Sequence, residues 1–153
     1  MKRWVLYVAV LTLLGASSSR GADIGKLAPV EAVWLTENNG QIYLECDTGD
    51  AGRGETLQDA LKDMKAAALG TIFLETADYL IVEQGREALL EQAYDLLRPS
   101  CKICVAQSKP DLQNVALFFN THEPTVTLRQ YQVEQKKLPT LREEEGRFEW
   151  IGS

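Results

Sequence analysis

Residues 41–82 read QIYLECDTGDAGRGETLQDALKDMKAAALGTIFLETADYLIV. Gln41 to Asp47 alternates Ile42, Leu44 and Cys46 against Tyr43 and Glu45, the period of a half-buried strand. Asp47 to Glu55 is too rich in Gly and Asp for regular structure and reads as a loop. Thr56, with Asp59 three residues on, starts a helix in an approximate capping box. Leu57, Ala60, Leu61, Met64, Ala67 and Ala68 then form one apolar stripe, and Gly70 supplies the stop. Thr71 to Val82 is a second apolar run, broken near Thr76 to Asp78, which predicts two extended pieces or a bulged strand. The stretch is therefore a strand–helix–strand unit.

Working outward, Val30 to Leu35 predicts a strand, and Glu37-Asn38-Asn39-Gly40 a hairpin turn into Gln41. A second helix spans Gly85 or Arg86 to Leu97 and ends at Arg98-Pro99. Cys101 to Gln107 is a further strand, and Lys109 to Asn120 a third helix with Ser108 as its cap. Two strand–helix–strand units sharing the 71–82 run place the Gln41, Thr71 and Cys101 strands in parallel, with the hairpin adding an antiparallel strand. The expectation is an α/β (α+β) domain over 23–124: a mixed sheet of about four to five strands and three helices, in the order β-β-α-β-α-β-α. Beyond it, 125–153 reads as a short edge strand through Val126, Leu128, Tyr131 and Val133, then a charged tail. That tail carries Lys136-Lys137, Pro139 and Glu143-Glu144-Glu145, so it is expected to be solvated or partner-binding, with Phe148 and Trp150 able to dock.

The chain has 153 residues, 45% hydrophobic and 25% charged, enough for one domain with a real core. Its net charge of −6 is spread throughout, and the missing basic stripe argues against nucleic-acid binding. Met1-Lys2-Arg3, the apolar run Trp4 to Leu14 and Gly15-Ala16-Ser17-Ser18-Ser19 match a signal peptide over 1–22, with cleavage near Ser18. The mature protein is then extracytoplasmic, secreted or on the outer membrane face, with membrane attachment only if the signal stays uncleaved.

The densest chemistry lies in the loop after Cys46. Asp47-Thr48-Gly49 has the triad of aspartic proteases, in which two carboxylates share a proton. The helices beside it depart from those all-β enzymes. The same loop, with Asp50 and Arg53, could cradle an ion, and Asp78 adds a carboxylate beyond the helix, but neither the dinucleotide fingerprint nor an EF-hand spacing is present. Asp47, Thr48, Gly49, Asp50, Arg53 and Asp78 are the ligand-binding candidates; no catalytic set, metal site or cofactor is singled out. Cys101-Lys102-Ile103-Cys104 has redox-pair spacing but opens a strand rather than a helix. Parallel strands would put Cys46 and Cys101 at opposite ends of the sheet, on the order of 15–20 Å apart, too far for a disulfide. His122, the single histidine, sits past a helix end in a capping position.

Several segments together resemble the N-terminal domain of the spore germinant-receptor C-subunit lipoproteins, the Ger(x)C family. Asp23 to Trp34 looks like the family's first strand, and Gly54-Glu55-Thr56-Leu57-Gln58-Asp59-Ala60-Leu61 is similar to its Gly-x-Thr-x-x-x-Ala helix start. Ile72-Phe73-Leu74 with Tyr79-Leu80-Ile81-Val82 resembles its paired apolar runs, Gly85 to Arg98 its next helix, and Ile103-Cys104-Val105-Ala106 its following strand. Ala16 stands where the lipobox cysteine would be, and Thr76 to Asp78 lacks the family's histidine. The resemblance implies a non-lipidated relative without catalytic residues: an exported binding or assembly protein of spore germination, with a membrane-protein or spore-envelope partner. An aspartic-type hydrolase using Asp47, and a thiol-redox protein using Cys101 and Cys104, are the alternatives.

Overall fold

A computed structural model describes residues 29–152; the expected signal peptide, 1–22, lies outside them. The chain opens with β1 (Ala32–Asn38) and β2 (Gln41–Cys46), joined at Asn39-Gly40. Both turn residues have positive φ, 53° and 74°, the type I′ geometry that Asn-Gly favours. The hairpin expectation holds, and the strands pair antiparallel from Val33↔Cys46 to Asn38↔Gln41.

The expected loop 47–55 is only half a loop. Asp47 to Asp50 turns, and Ala51–Gly54 forms β3, antiparallel to β2. Its glycines belong there because α1 (Leu57–Ala67) folds back against that strand. A Cβ on Gly52 would stand 2.2 Å from the Ala60 carbonyl oxygen and 2.4 Å from the Met64 nitrogen, so only glycine lets helix and strand meet. Thr56 caps α1 as expected, its hydroxyl accepting from the Asp59 N–H, and Leu57, Ala60 and Met64 are buried.

The 71–82 run yields one strand rather than two. Leu74–Thr76 is a single 3-10 turn, and only β4 (Tyr79–Glu83) joins the sheet. The second helix is likewise short: a 3-10 turn at Glu87–Leu89, then α2 (Leu90–Ala93), which buries Leu90 and Ala93. β5 (Lys102–Ala106) and α3 (Leu112–Phe119) follow, the helix capped by Asp111 rather than Ser108. After β6 (Val126–Thr127) the expected edge strand gives way to α4 (Leu128–Glu134), started by a capping box between Thr127 and Gln130. The expected charged tail is a hairpin, β7 (Thr140–Glu144) and β8 (Arg147–Ile151), turning at Glu145 and Gly146 with φ of 51° and 75°.

The class expected from the sequence is correct, a mixed α/β domain, but the described residues hold eight strands and four α-helices instead of four to five and three. The strand order is β3-β2-β1-β4-β5-β7-β8, with β6 beside β5. β1, β4, β5 and β7 run parallel. The parallel member of the first hairpin is therefore β1, and β2, expected to be parallel, is the antiparallel one. The reason lies in burial: Ala32, Val33, Trp34 and Leu35 are all buried, so β1 suits a central position covered on both faces, whereas β2 alternates buried and exposed.

Each sheet face has its own apolar layer. Val33, Leu35, Leu80, Val82, Ile103 and Val105 meet Leu57 and Met64 of α1, Leu90 of α2 and Leu128 of α4. On the other face Trp34, Tyr79, Ile81 and Cys104 meet Val115 and Phe119 of α3, and Leu141 of β7 closes that layer. Phe148 and Trp150 pack against it, so the docking expected of these two aromatics occurs, from within a strand. Among the described residues no helix is long and apolar enough to cross a membrane.

Candidate binding groove

Because α3 is a single short helix, it leaves one side of the second sheet face bare. The register puts Arg53 of β3 opposite Tyr43 of β2, and Tyr43 opposite Thr36 of β1. Trp34 pairs with Ile81 across β1 and β4, so Thr36, two residues on, aligns with Glu83. Arg53, Tyr43, Thr36 and Glu83 thus form one row across four neighbouring strands, on one face. The Thr36 hydroxyl donates to the Glu83 carboxylate.

Two hollows meet along this row, sharing Thr36 and Tyr43. One, about 430 Å³, lies between β3 and the loop that precedes α3, and is lined by Trp34, Tyr43, Arg53, Asp63 and Lys109 among others. The second, about 530 Å³, opens at the rim with Glu37, Asn38, Glu83 and Arg86. Tyr43 is 39% exposed and forms the apolar part of the floor. Trp34 lies deeper, at 4% exposure.

The walls are fixed by charge. Lys109 Nζ sits 2.8 Å from Glu45 Oε2, tying the loop after β5 to β2. Farther along, Gln113 Nε2 donates to the Asp47 carbonyl at 3.4 Å, and Glu143 accepts the Asp111 N–H at 3.1 Å, so the start of α3 is held from both sides. On the opposite wall Asp63 of α1 accepts the backbone N–H of Arg53 at 2.9 Å. The guanidinium groups of Arg53 and Arg86 have no ion-pair partner among the described residues.

Only one of the six ligand-binding candidates reaches this groove. Asp47, Thr48, Gly49 and Asp50 form the β2–β3 turn, at the amino ends of the parallel strands. There Asp47 Oδ1 accepts the N–H groups of Glu31 and Ala32 at 3.1 and 3.3 Å, and its own N–H donates to the Ala32 carbonyl. The Thr48 hydroxyl donates to Asp50 at 2.7 Å, and Gly49 takes a φ of +88°. The Asp-Thr-Gly triad therefore ties the hairpin to the start of β1. Asp78 lies at the same end, paired with Arg98. Arg53 alone of the six lines the groove.

The thiols are arranged differently from the expectation. Cys46 pairs with Val33, whose row continues through Leu80 to Ile103, so Cys46 and Cys101 lie toward the same end of the sheet, not opposite ends. Three strand spacings still separate them, about 14 Å, beyond disulfide reach. All three cysteines are free and buried. Burial pushes the Cys46 thiol up to about 12, helped by the neighbouring Asp47, Asp50 and Glu45 carboxylates. Burial likewise carries Cys101 to about 12, against a small opposing pull from Arg98, and raises Cys104 further. Cys101 belongs to the first apolar layer and Cys104 to the second, so the Cys-x-x-Cys pair is divided between the two faces and its thiolates are disfavoured.

His122 is exposed and stacks on Phe118, with centroids 4.7 Å apart and planes 3° from parallel. Its backbone N–H bonds to the Phe118 carbonyl, so it does close the end of α3. Among the described residues no three His, Cys, Asp or Glu side chains group as a metal would require.

Tyr43, Trp34, Thr36 and Lys109 are not candidates in the sequence, and Glu83 is one only as a carboxylate grouped with Glu75 and Asp78. The alternation of 41–47 already sets Tyr43 and Glu45 on the polar side, yet which part of that side stays bare depends on where α3 lies. Comparison with protein families, curated proteins and solved structures found no match for this chain.

Proposed function

We propose that this chain is an exported, non-enzymatic binding or assembly protein that engages its partner through the groove around Tyr43. The observation carrying this reading is the bare side of the second sheet face, where a half-exposed tyrosine stands between the unpaired Arg53 guanidinium and the Glu83 carboxylate. Several of its polar groups are already engaged: Thr36 with Glu83, Glu45 with Lys109, and Asp63 with the Arg53 backbone. Such groups hold a surface in place; none is left poised beside another to move a proton. The groove also lies toward the carboxyl ends of the parallel strands, where ligands of open α/β sheets bind.

Export rests on the cationic, apolar and small-residue succession of 1–19. A role in spore germination or spore-envelope assembly rests on the segments similar to the Ger(x)C N-terminal domain, and the partner would then be a membrane or envelope protein of the spore. The test is a Tyr43→Ala allele in the source organism, with protein abundance followed by immunoblot. Slowed germination or a defective envelope at normal abundance is expected. Normal spores at normal abundance would refute the groove as the working surface, and a cytoplasmic location on fractionation would refute export.

A further inference from the structure

We infer that the groove takes an extended peptide segment of a partner protein, with an acidic and a basic side chain four residues apart and an apolar residue midway. This rests on the groove reading above and adds the chemical class of the occupant. The row Arg53, Tyr43, Thr36, Glu83 gives the occupant a polarity: a cation, an aromatic ring, a hydroxyl and a carboxylate, in that order. Neighbouring strands lie about 4.8 Å apart, so Arg53 and Glu83 stand about 14 Å apart on the same face.

An extended chain advances about 3.4 Å per residue and presents alternate side chains to one side, so residues i and i+4 are about 14 Å apart and face the same way. The residue between them, i+2, falls about 7 Å along the row, between Tyr43 and Thr36, where an apolar side chain covers the exposed ring. A helical peptide cannot follow the row with this spacing, because four residues there advance only about 6 Å. Charge complementarity sets the ends: Arg53 meets an acidic side chain, and Glu83 a basic one. Arg86 shares the Glu83 end without pairing to it and opposes a basic side chain there.

Fluorescence anisotropy on the purified exported protein tests this with labelled peptides built on Glu-Ser-Leu-Ser-Lys. A control, Glu-Ser-Leu-Lys-Ser, puts the charges three residues apart and on opposite sides. The first should bind about fivefold more tightly than the control, the worth of about one exposed ion pair. Arg53→Glu should remove that advantage, and Lys-Ser-Leu-Ser-Lys should restore it in the variant. Arg53→Gln, which only deletes the charge, gives the loss without the rescue and covers the case in which the reversal disturbs β3. Arg86→Ala should tighten binding about twofold, by lifting the repulsion at the basic end.

Equal binding at both spacings, no rescue with an unchanged circular dichroism spectrum, or no peptide binding at millimolar concentration would each overturn the inference. An oligosaccharide that binds where the peptides do not would overturn the peptide and leave the groove standing. Normal spores from the Tyr43→Ala allele bear on the groove itself, so the two failures are distinguishable.

Discussion

Replacing Gly52 with alanine adds one carbon to the seam between β3 and α1, and the geometry sets the cost. The new Cβ would lie 2.2 Å from the Ala60 carbonyl oxygen, 2.4 Å from the Met64 nitrogen and 2.8 Å from the Met64 Cβ. Two of these three atoms are backbone, so no rotamer change relieves the overlap; the helix and strand must part by about 1 Å to restore ordinary contact distances. That shift also loosens Ala60 and Met64, both fully buried. Overpacking of this kind costs about 1–3 kcal/mol, and unyielding backbone neighbours put Gly52→Ala at the upper end, about 3 kcal/mol. Against a total stability of about 5–15 kcal/mol that is a large share. Urea unfolding followed by circular dichroism measures it as a lower midpoint at constant slope. Gly49→Ala is the control: nothing lies within 4 Å of its Cβ, and only the φ of +88° opposes it, for about 1–2 kcal/mol. Adding Ala60→Gly should not rescue Gly52→Ala, because the clash is with the carbonyl. A Gly52→Ala protein within about 0.5 kcal/mol of the parent, or one rescued by Ala60→Gly, refutes the account of this seam.

Asp47→Ala strips the acceptor from the Glu31 and Ala32 N–H groups, and should cost about 1–2 kcal/mol in the same titration. Asp47→Asn keeps an acceptor oxygen and should cost less; the reverse ranking would contradict the tethering role. Thiol titration at pH 8 should find Cys46, Cys101 and Cys104 nearly silent in the native protein and reactive in urea, since burial disfavours each thiolate. The folded thiols of Cys46 and Cys101 stand at about 12, above the ordinary value of 9.0, so above pH 9 the folded state holds more protons than the unfolded one. Their contribution is therefore complete below pH 9 and is lost as pH rises toward 12; stability unchanged across that window would count against their burial. Truncation after Gln135 removes Leu138, Leu141, Phe148 and Trp150 from the two apolar layers and should abolish cooperative unfolding by calorimetry; a sharp transition in the truncated chain would show the hairpin dispensable.

The parts of the fold readable in the sequence are those whose signals are local. Asn39-Gly40 demands a I′ turn whatever surrounds it, and Thr56 with the Leu57, Ala60, Met64 stripe makes a capped amphipathic helix by itself. β3 was not readable, because Gly52 and Gly54 serve a contact with α1 that only the tertiary fold creates. Leu128–Glu134 was read as part of a strand from Val126 and Leu128, although the Thr127–Gln130 box was there to mark a helix start. Glu143 to Glu145 hid the last hairpin: β5 pairs with β7 only at Thr140 and Leu141, so the acidic end of β7 runs on beside β8 alone and stays exposed. The groove failed to show for a related reason. The Asp-Thr-Gly loop drew attention by composition, whereas Tyr43 and Glu83 become neighbours of one surface only through the register of three strand pairs.

The contact between Asp63 and the Arg53 N–H also governs how this molecule meets its own copies. β3 is the last strand on its side, and its outward amide would otherwise be free to accept another chain as one more strand. A helix carboxylate occupies that donor instead, so the guard on this edge resides in α1 and not in the strand it shields. Loss of that one carboxylate would free the Arg53 N–H at this end of the sheet, even with Gly52 and Gly54 unchanged.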